Sequence, residues 1–109
     1  MKNMVSTRDV DDALGAESAI LFKHSTRCPI SAAARGEMER FMELNPDAPV
    51  YTVDVNDATD ASRYLAEKTG IEHQSPQVIV VRGGRPEWHA NHFDIRANEV
   101  EQRFGNGSA

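Results

Sequence analysis

The chain has only one cysteine, Cys28, so no disulfide can close within it and no oxidising compartment is implied. Aromatic residues are only 6% of the 109, too few and too scattered to build a base-stacking groove. Positive charge is in deficit, and a net charge of −5 disfavours nonspecific attraction to nucleic acid or anionic membrane. No apolar run approaches the roughly 20 residues that span a bilayer. The opening Met1-Lys-Asn-Met-Val-Ser-Thr-Arg-Asp9 lacks the apolar core of a secretory signal. The expectation is a soluble cytoplasmic monomer with neither a nucleic-acid nor a membrane partner.

What is present suffices for one globular domain over 1–109, because a chain of this length buries roughly 60–70% of its unfolded surface. A short helix is expected over 7–15, capped by Thr7 and ended by Gly15, with Val10, Ala13 and Leu14 on one face. Residues 19–24 are almost continuously apolar, as a strand covered on both faces should be. Helical spacing of Ile30, Ala33, Ala34, Met38 and Phe41 predicts a helix over 29–43. Val50–Val55 alternates as a strand. Asn56 or Asp57 is then expected to cap a helix carrying Ala61, Tyr64 and Leu65 and closed by Gly70. Gln77–Arg82 is a further strand, Gly83-Gly84 a hairpin turn, and Arg85–Ala90 the returning strand. A last helix is expected over 96–104, with a frayed tail from about 105. The α-β-α-β-α-β-β-α order describes an α/β fold: a four-stranded mixed sheet with helices on both faces.

Cys28 stands between the strand over 19–24 and the helix opened by Pro29, where proline's missing N–H costs nothing. A helix N-terminus carries about half a positive charge and unpartnered N–H groups, so a thiolate there is stabilised and its pKa falls. The amides of Ile30 and Ser31 are placed to face the sulfur, and the Ser31 hydroxyl lies one turn along. Ser31 occupies the place of a second thiol but cannot resolve a mixed disulfide, so an external thiol must do so. Lone cysteines are often buried, inert hydrophobes; the strand-Cys-Pro-helix context favours a reactive thiol. Arg27 and Lys23 bring positive charge close in sequence. His24 and Asp54 are read either as tuners of the thiol or as ordinary structural groups. Ser75-Pro76 precedes a strand, and an ordinary trans loop proline is its default reading. His89, His92 and Asp94 do not have the spacing of a metal site, and none is expected there.

Taken together, Lys23-His-Ser-Thr-Arg-Cys-Pro-Ile-Ser31, Ser75-Pro76-Gln77 and His89-Ala-Asn-His-Phe-Asp-Ile95 resemble the YtxJ-like monothiol bacilliredoxins of the thioredoxin superfamily, over about residues 5–104. The resemblance implies a thioredoxin-like fold and a cis bond at Pro76 beside Cys28. The implied activity is removal of bacillithiol from protein mixed disulfides, with Cys28 as nucleophile. Bacillithiol would be a co-substrate, bacillithiolated proteins the partners, and no cofactor tightly bound. Pro29, Ile30 and Ser31 would stabilise the thiolate. Ser75 and Pro76 would shape the substrate groove, and Thr26, Arg27 and Lys23 would bind the anionic thiol. Two other readings stay open: a redox-sensing thiol on a binding module, and iron–sulfur carriage as in monothiol glutaredoxins, which usually place glycine where Pro29 stands.

Overall fold

The computed structural model describes residues 1–106. Its centre is a strand over Ser18–His24, covered on both faces and flanked on both edges, so that Ala19 through Lys23 have almost no solvent contact. Numbered along the chain, the strands are β1 (Lys2–Asn3), β2 (Ser18–His24), β3 (Val50–Asp54), β4 (Gln77–Arg82) and β5 (Arg85–Asn91). The helices are α1 (Thr7–Leu14), α2 (Pro29–Leu44), α3 (Thr59–Thr69) and α4 (Ala97–Asn106), and a 3-10 turn over His92–Asp94 joins β5 to α4. The sheet order is β1-β3-β2-β4-β5. β2 runs parallel to β3 through the crossover helix α2, and antiparallel to β4 with Lys23 opposite Gln77.

Alternation along β2 divides the core. Ile20 and Phe22 meet Met38 and Phe41 of α2 and Val100 of α4 on one face. Ala19 and Leu21 meet Val10 and Ala13 of α1 and Ala61 and Leu65 of α3 on the other. Lys23 falls on this second, α3 side.

Five strands replace the expected four. β1 is two residues long and has no periodicity to read, yet it pairs parallel to β3, and the Met4 N–H donates to the Thr52 carbonyl at 2.6 Å. The cap of α1 is Ser6 rather than Thr7: the Ser6 hydroxyl accepts from the Asp9 amide, and the Asp9 carboxylate accepts from the Ser6 amide in return. α3 starts one or two residues later than Asp57 or Asn56 would have it, with Ala58 at the cap. The reason is Asp54, whose carboxylate takes the Asn56 amide at 2.9 Å and whose carbonyl takes the Ala58 amide at 2.8 Å, so a turn intervenes. At the other end, α4 continues through Gly105 to Asn106, and residues 107–109 of the expected tail lie outside the described residues. Arg82 holds this end of α4 by donating to the Phe104 carbonyl.

Gly83 and Gly84 make the β4–β5 hairpin with φ of 57° and 77°, values that glycine adopts without strain. A Cβ on Gly84 would also come within 3.1 Å of the Leu14 carbonyl. No described helix is long and apolar enough to cross a membrane.

Phe41 is fully buried between α2 and the sheet. Phe41→Ala is expected to lower the unfolding free energy by about 3–5 kcal/mol. Urea denaturation checks this, and a loss below about 1 kcal/mol would show that the site collapses around the cavity.

Candidate active site

The β2–α2 junction is folded around the buried Ser25. Its amide donates to the Ser31 hydroxyl oxygen at 3.0 Å, its hydroxyl accepts from the Arg27 amide at 3.2 Å, and its carbonyl receives the Cys28 amide at 3.5 Å. From the second turn of α2, the Arg35 guanidinium donates to the same carbonyl at 3.1 Å. This loop delivers Cys28 to the N-cap of α2 in extended conformation, with Pro29 next. The Ala32 amide closes the first helical turn on the Cys28 carbonyl at 3.1 Å.

The Cys28 thiol is held below its ordinary pKa, first by the Ser31 amide, then by the Ile30 amide, against a smaller opposing effect of desolvation. The Ser31 hydroxyl adds the smallest contribution. That hydroxyl is fully buried, and its oxygen already accepts the Ser25 N–H, so its own hydrogen is the part left for the sulfur. Cys28 itself is partly exposed. The arrangement favours the thiolate form of an accessible sulfur, the form fit for nucleophilic attack on a disulfide.

The other candidate residues divide between groove and interior. Thr26 and Arg27 are exposed beside the thiol, and Thr26 donates to the Asp54 carboxylate at 3.4 Å. The Ser75–Pro76 peptide is cis and opens β4, which neighbours β2, so it lies at the same end of the sheet as Cys28. The Pro76 carbonyl accepts the His92 amide at 2.9 Å, tying this loop to the 3-10 turn.

Lys23 departs from its expected position. It is fully buried, with an ammonium that has no hydrogen-bond partner among the described residues, and burial pushes its pKa from 10.5 to about 8. Strand alternation sends it under the sheet toward α3, away from the groove. Asp54 serves as a loop carboxylate, taking bonds from Thr26 and Asn56. His24 stacks on Phe22 at 5.3 Å, and burial lowers its pKa, with Asp54 opposing and Arg35 assisting. Among the described residues, no group of three or more His, Cys, Asp or Glu side chains is gathered as metal ligands, and His89, His92 and Asp94 form none.

Ser25 and Arg35 escaped the sequence reading as site residues. A signal existed for Arg35: it lies four residues after Ser31, on the same helix face. Nothing in composition marks Ser25, whose role is made by main-chain geometry.

A central mixed sheet, a thiol at a helix N-cap and a cis-proline loop at the same sheet end define a thioredoxin-like thiol redox protein. More specifically, the chain belongs to the monothiol bacilliredoxin BrxC family, which it matches over residues 2–100. Among solved structures it is similar to one described as an oxidoreductase with a thioredoxin fold, at 29% identity and a TM-score of 0.86, covering 94% of this chain and 91% of that one. Thioredoxin from Trypanosoma brucei brucei shares the fold at 14% identity and a TM-score of 0.78, over 97% of this chain and 88% of the other. Fasciola hepatica thioredoxin does so at 12% identity and 0.74, over 97% and 98%.

Two outcomes follow from these contacts. Ser31→Ala is expected to raise the Cys28 pKa and slow its alkylation by iodoacetamide at pH 7 by about two- to tenfold, the worth of one hydrogen bond. An unchanged pH–rate profile would remove the hydroxyl from the site. For Lys23, the unfolded chain binds more protons than the folded one between about pH 8 and 10.5, so stability rises with pH across that window. Below it the penalty is present in full. Lys23→Met is therefore expected to be more stable than wild type at pH 7 by about 1–3 kcal/mol, the advantage shrinking above pH 8. Denaturation of both proteins at pH 7 and pH 10 reads the difference.

Proposed function

We propose that this protein is a monothiol thiol–disulfide oxidoreductase that removes bacillithiol from protein mixed disulfides. The observation that carries the reading is the accessible Cys28 at the α2 N-cap, with Ser31 standing where a resolving thiol would be. Family membership supports bacillithiol as the small thiol.

In the proposed cycle the Cys28 thiolate attacks the bacillithiol sulfur of the mixed disulfide. The S–S bond to the substrate breaks, and the departing protein thiolate takes a proton from water. Cys28 is then joined to bacillithiol. With no second cysteine in the chain, the thiolate of another bacillithiol attacks that disulfide. Bacillithiol disulfide leaves, and Cys28 returns to its thiolate, stabilised by the Ser31 and Ile30 amides. During the first attack the main chain at Ser75, beside Pro76, pairs with the substrate in extended form. Thr26 and Arg27, exposed at the mouth, meet the anionic small thiol. Lys23, sealed under the sheet, takes no part in direct contact within the groove.

The test measures bacillithiol release from a bacillithiolated protein by wild type and by Cys28→Ser, with a glutathionylated protein in parallel. Release by wild type alone, faster from the bacillithiolated substrate, is the expected result. Release by Cys28→Ser would sink the assignment. Failure of wild type on both substrates would leave Cys28 a thiol that is oxidised without turnover, as in a sensor.

A further inference from the structure

The Lys23 ammonium is an unexplained charge. It is fully buried without a hydrogen-bond partner among the described residues, and a buried charge without a counter-charge is costly. The Ser75 hydroxyl and the Gln77 side-chain oxygen are also buried and unpartnered, and Gln77 is directly opposite Lys23 in the β2–β4 ladder. The charge on Lys23 is felt at His73, whose pKa it helps to depress after burial.

His73 borders a pocket of about 280 Å³ on the α3 side of the sheet, lined by Val55, Thr59, Ser62, Arg63, Ala66 and His73. The polar groups here are donors or neutral. Ser62 Oγ lies 3.4 Å from His73 Nδ1, Arg63 is exposed, and none of the six lining residues is acidic. The pocket lies close to the groove in sequence and in space. Val55 donates its amide to the His24 carbonyl at 2.9 Å, immediately before the Cys28 loop, and His73 is two residues before Ser75. The thiol loop and this pocket thus share the end of the sheet where β2 and β3 finish.

We infer that the pocket is a carboxylate subsite: Arg63, Ser62 and His73 take a carboxylate arm of the small-thiol co-substrate, with Lys23 behind them as the buried positive charge, while the thiol's sulfur reaches Cys28. The inference rests on the proposed use of a small thiol and extends it. Both bacillithiol and glutathione carry carboxylates, so the subsite recognises chemistry that the two share. Arg63 supplies the planar fork that suits a carboxylate, and Lys23 supplies charge rather than contact.

The experiment uses L-malate alone as a probe, followed by amide NMR on the reduced full-length protein. Expected are shifts centred on Ser62, Arg63 and His73, with a dissociation constant on the order of millimolar for so small a ligand. Arg63→Ala, a surface change that leaves the core intact, should weaken malate binding and raise KM for the small thiol by about tenfold, the usual worth of a charge-assisted hydrogen bond. The change should fall mainly on KM rather than kcat, and Arg63→Lys should restore part of it. Malate shifts confined to other residues, or an unchanged KM in Arg63→Ala, would overturn the subsite. Failure of the parent reading would look different, because wild type would then release no bacillithiol whether or not malate binds.

Discussion

The bond from the Ser25 amide to the Ser31 hydroxyl is the contact on which the site depends. It spans the turn between β2 and α2 and is buried, so water does not compete for it. It orients the Ser31 oxygen and thereby leaves the hydroxyl hydrogen for the sulfur. It also fixes where the chain leaves β2, so that Cys28 arrives at the helix N-cap with two amides ahead of it. Arg35 reinforces the same point from α2 by gripping the Ser25 carbonyl. The thiolate is stabilised chiefly by main-chain amides, and main-chain amides can be aimed only by fixing the turn that carries them.

The site and the fold were unequally legible in the sequence. Cys28, Pro29 and the helix that follows could be read because apolar spacing and proline placement are local signals. The Gly83-Gly84 hairpin was equally plain, since positive φ at two successive residues selects glycine. β1 was hidden because two residues have no period; it exists through pairing with β3. The cap of α3 was misplaced because Asp54 spends both its carboxylate and its carbonyl on the following turn, a tertiary arrangement that no cap residue announces. Lys23 counts in the sequence as a candidate for binding the anionic thiol because it stands five residues before Cys28, and sequence distance does not say which way a side chain points. Its burial follows from its position in a strand covered on both faces, where alternation gives the residue no solvent side.

That burial sets a tension between stability and use. The interior around α3 would fold more easily around an apolar side chain in place of the Lys23 ammonium. A positive charge kept there without a counter-ion makes the end of the sheet below the Ser75–Pro76 loop electrostatically incomplete. Retaining a destabilising group beside a reactive loop is the pattern expected where function and stability compete.

Ser31 in the second-thiol place has one more consequence. A protein with two neighbouring thiols can store a pair of oxidising equivalents privately and has a midpoint potential of its own. This chain, with one sulfur able to form a disulfide, always shares that bond with another molecule. Its oxidation state is then described by an exchange constant that names the partner thiol and changes with it, rather than by a fixed voltage. Measured against different small thiols, the same Cys28 would rank as a different oxidant each time.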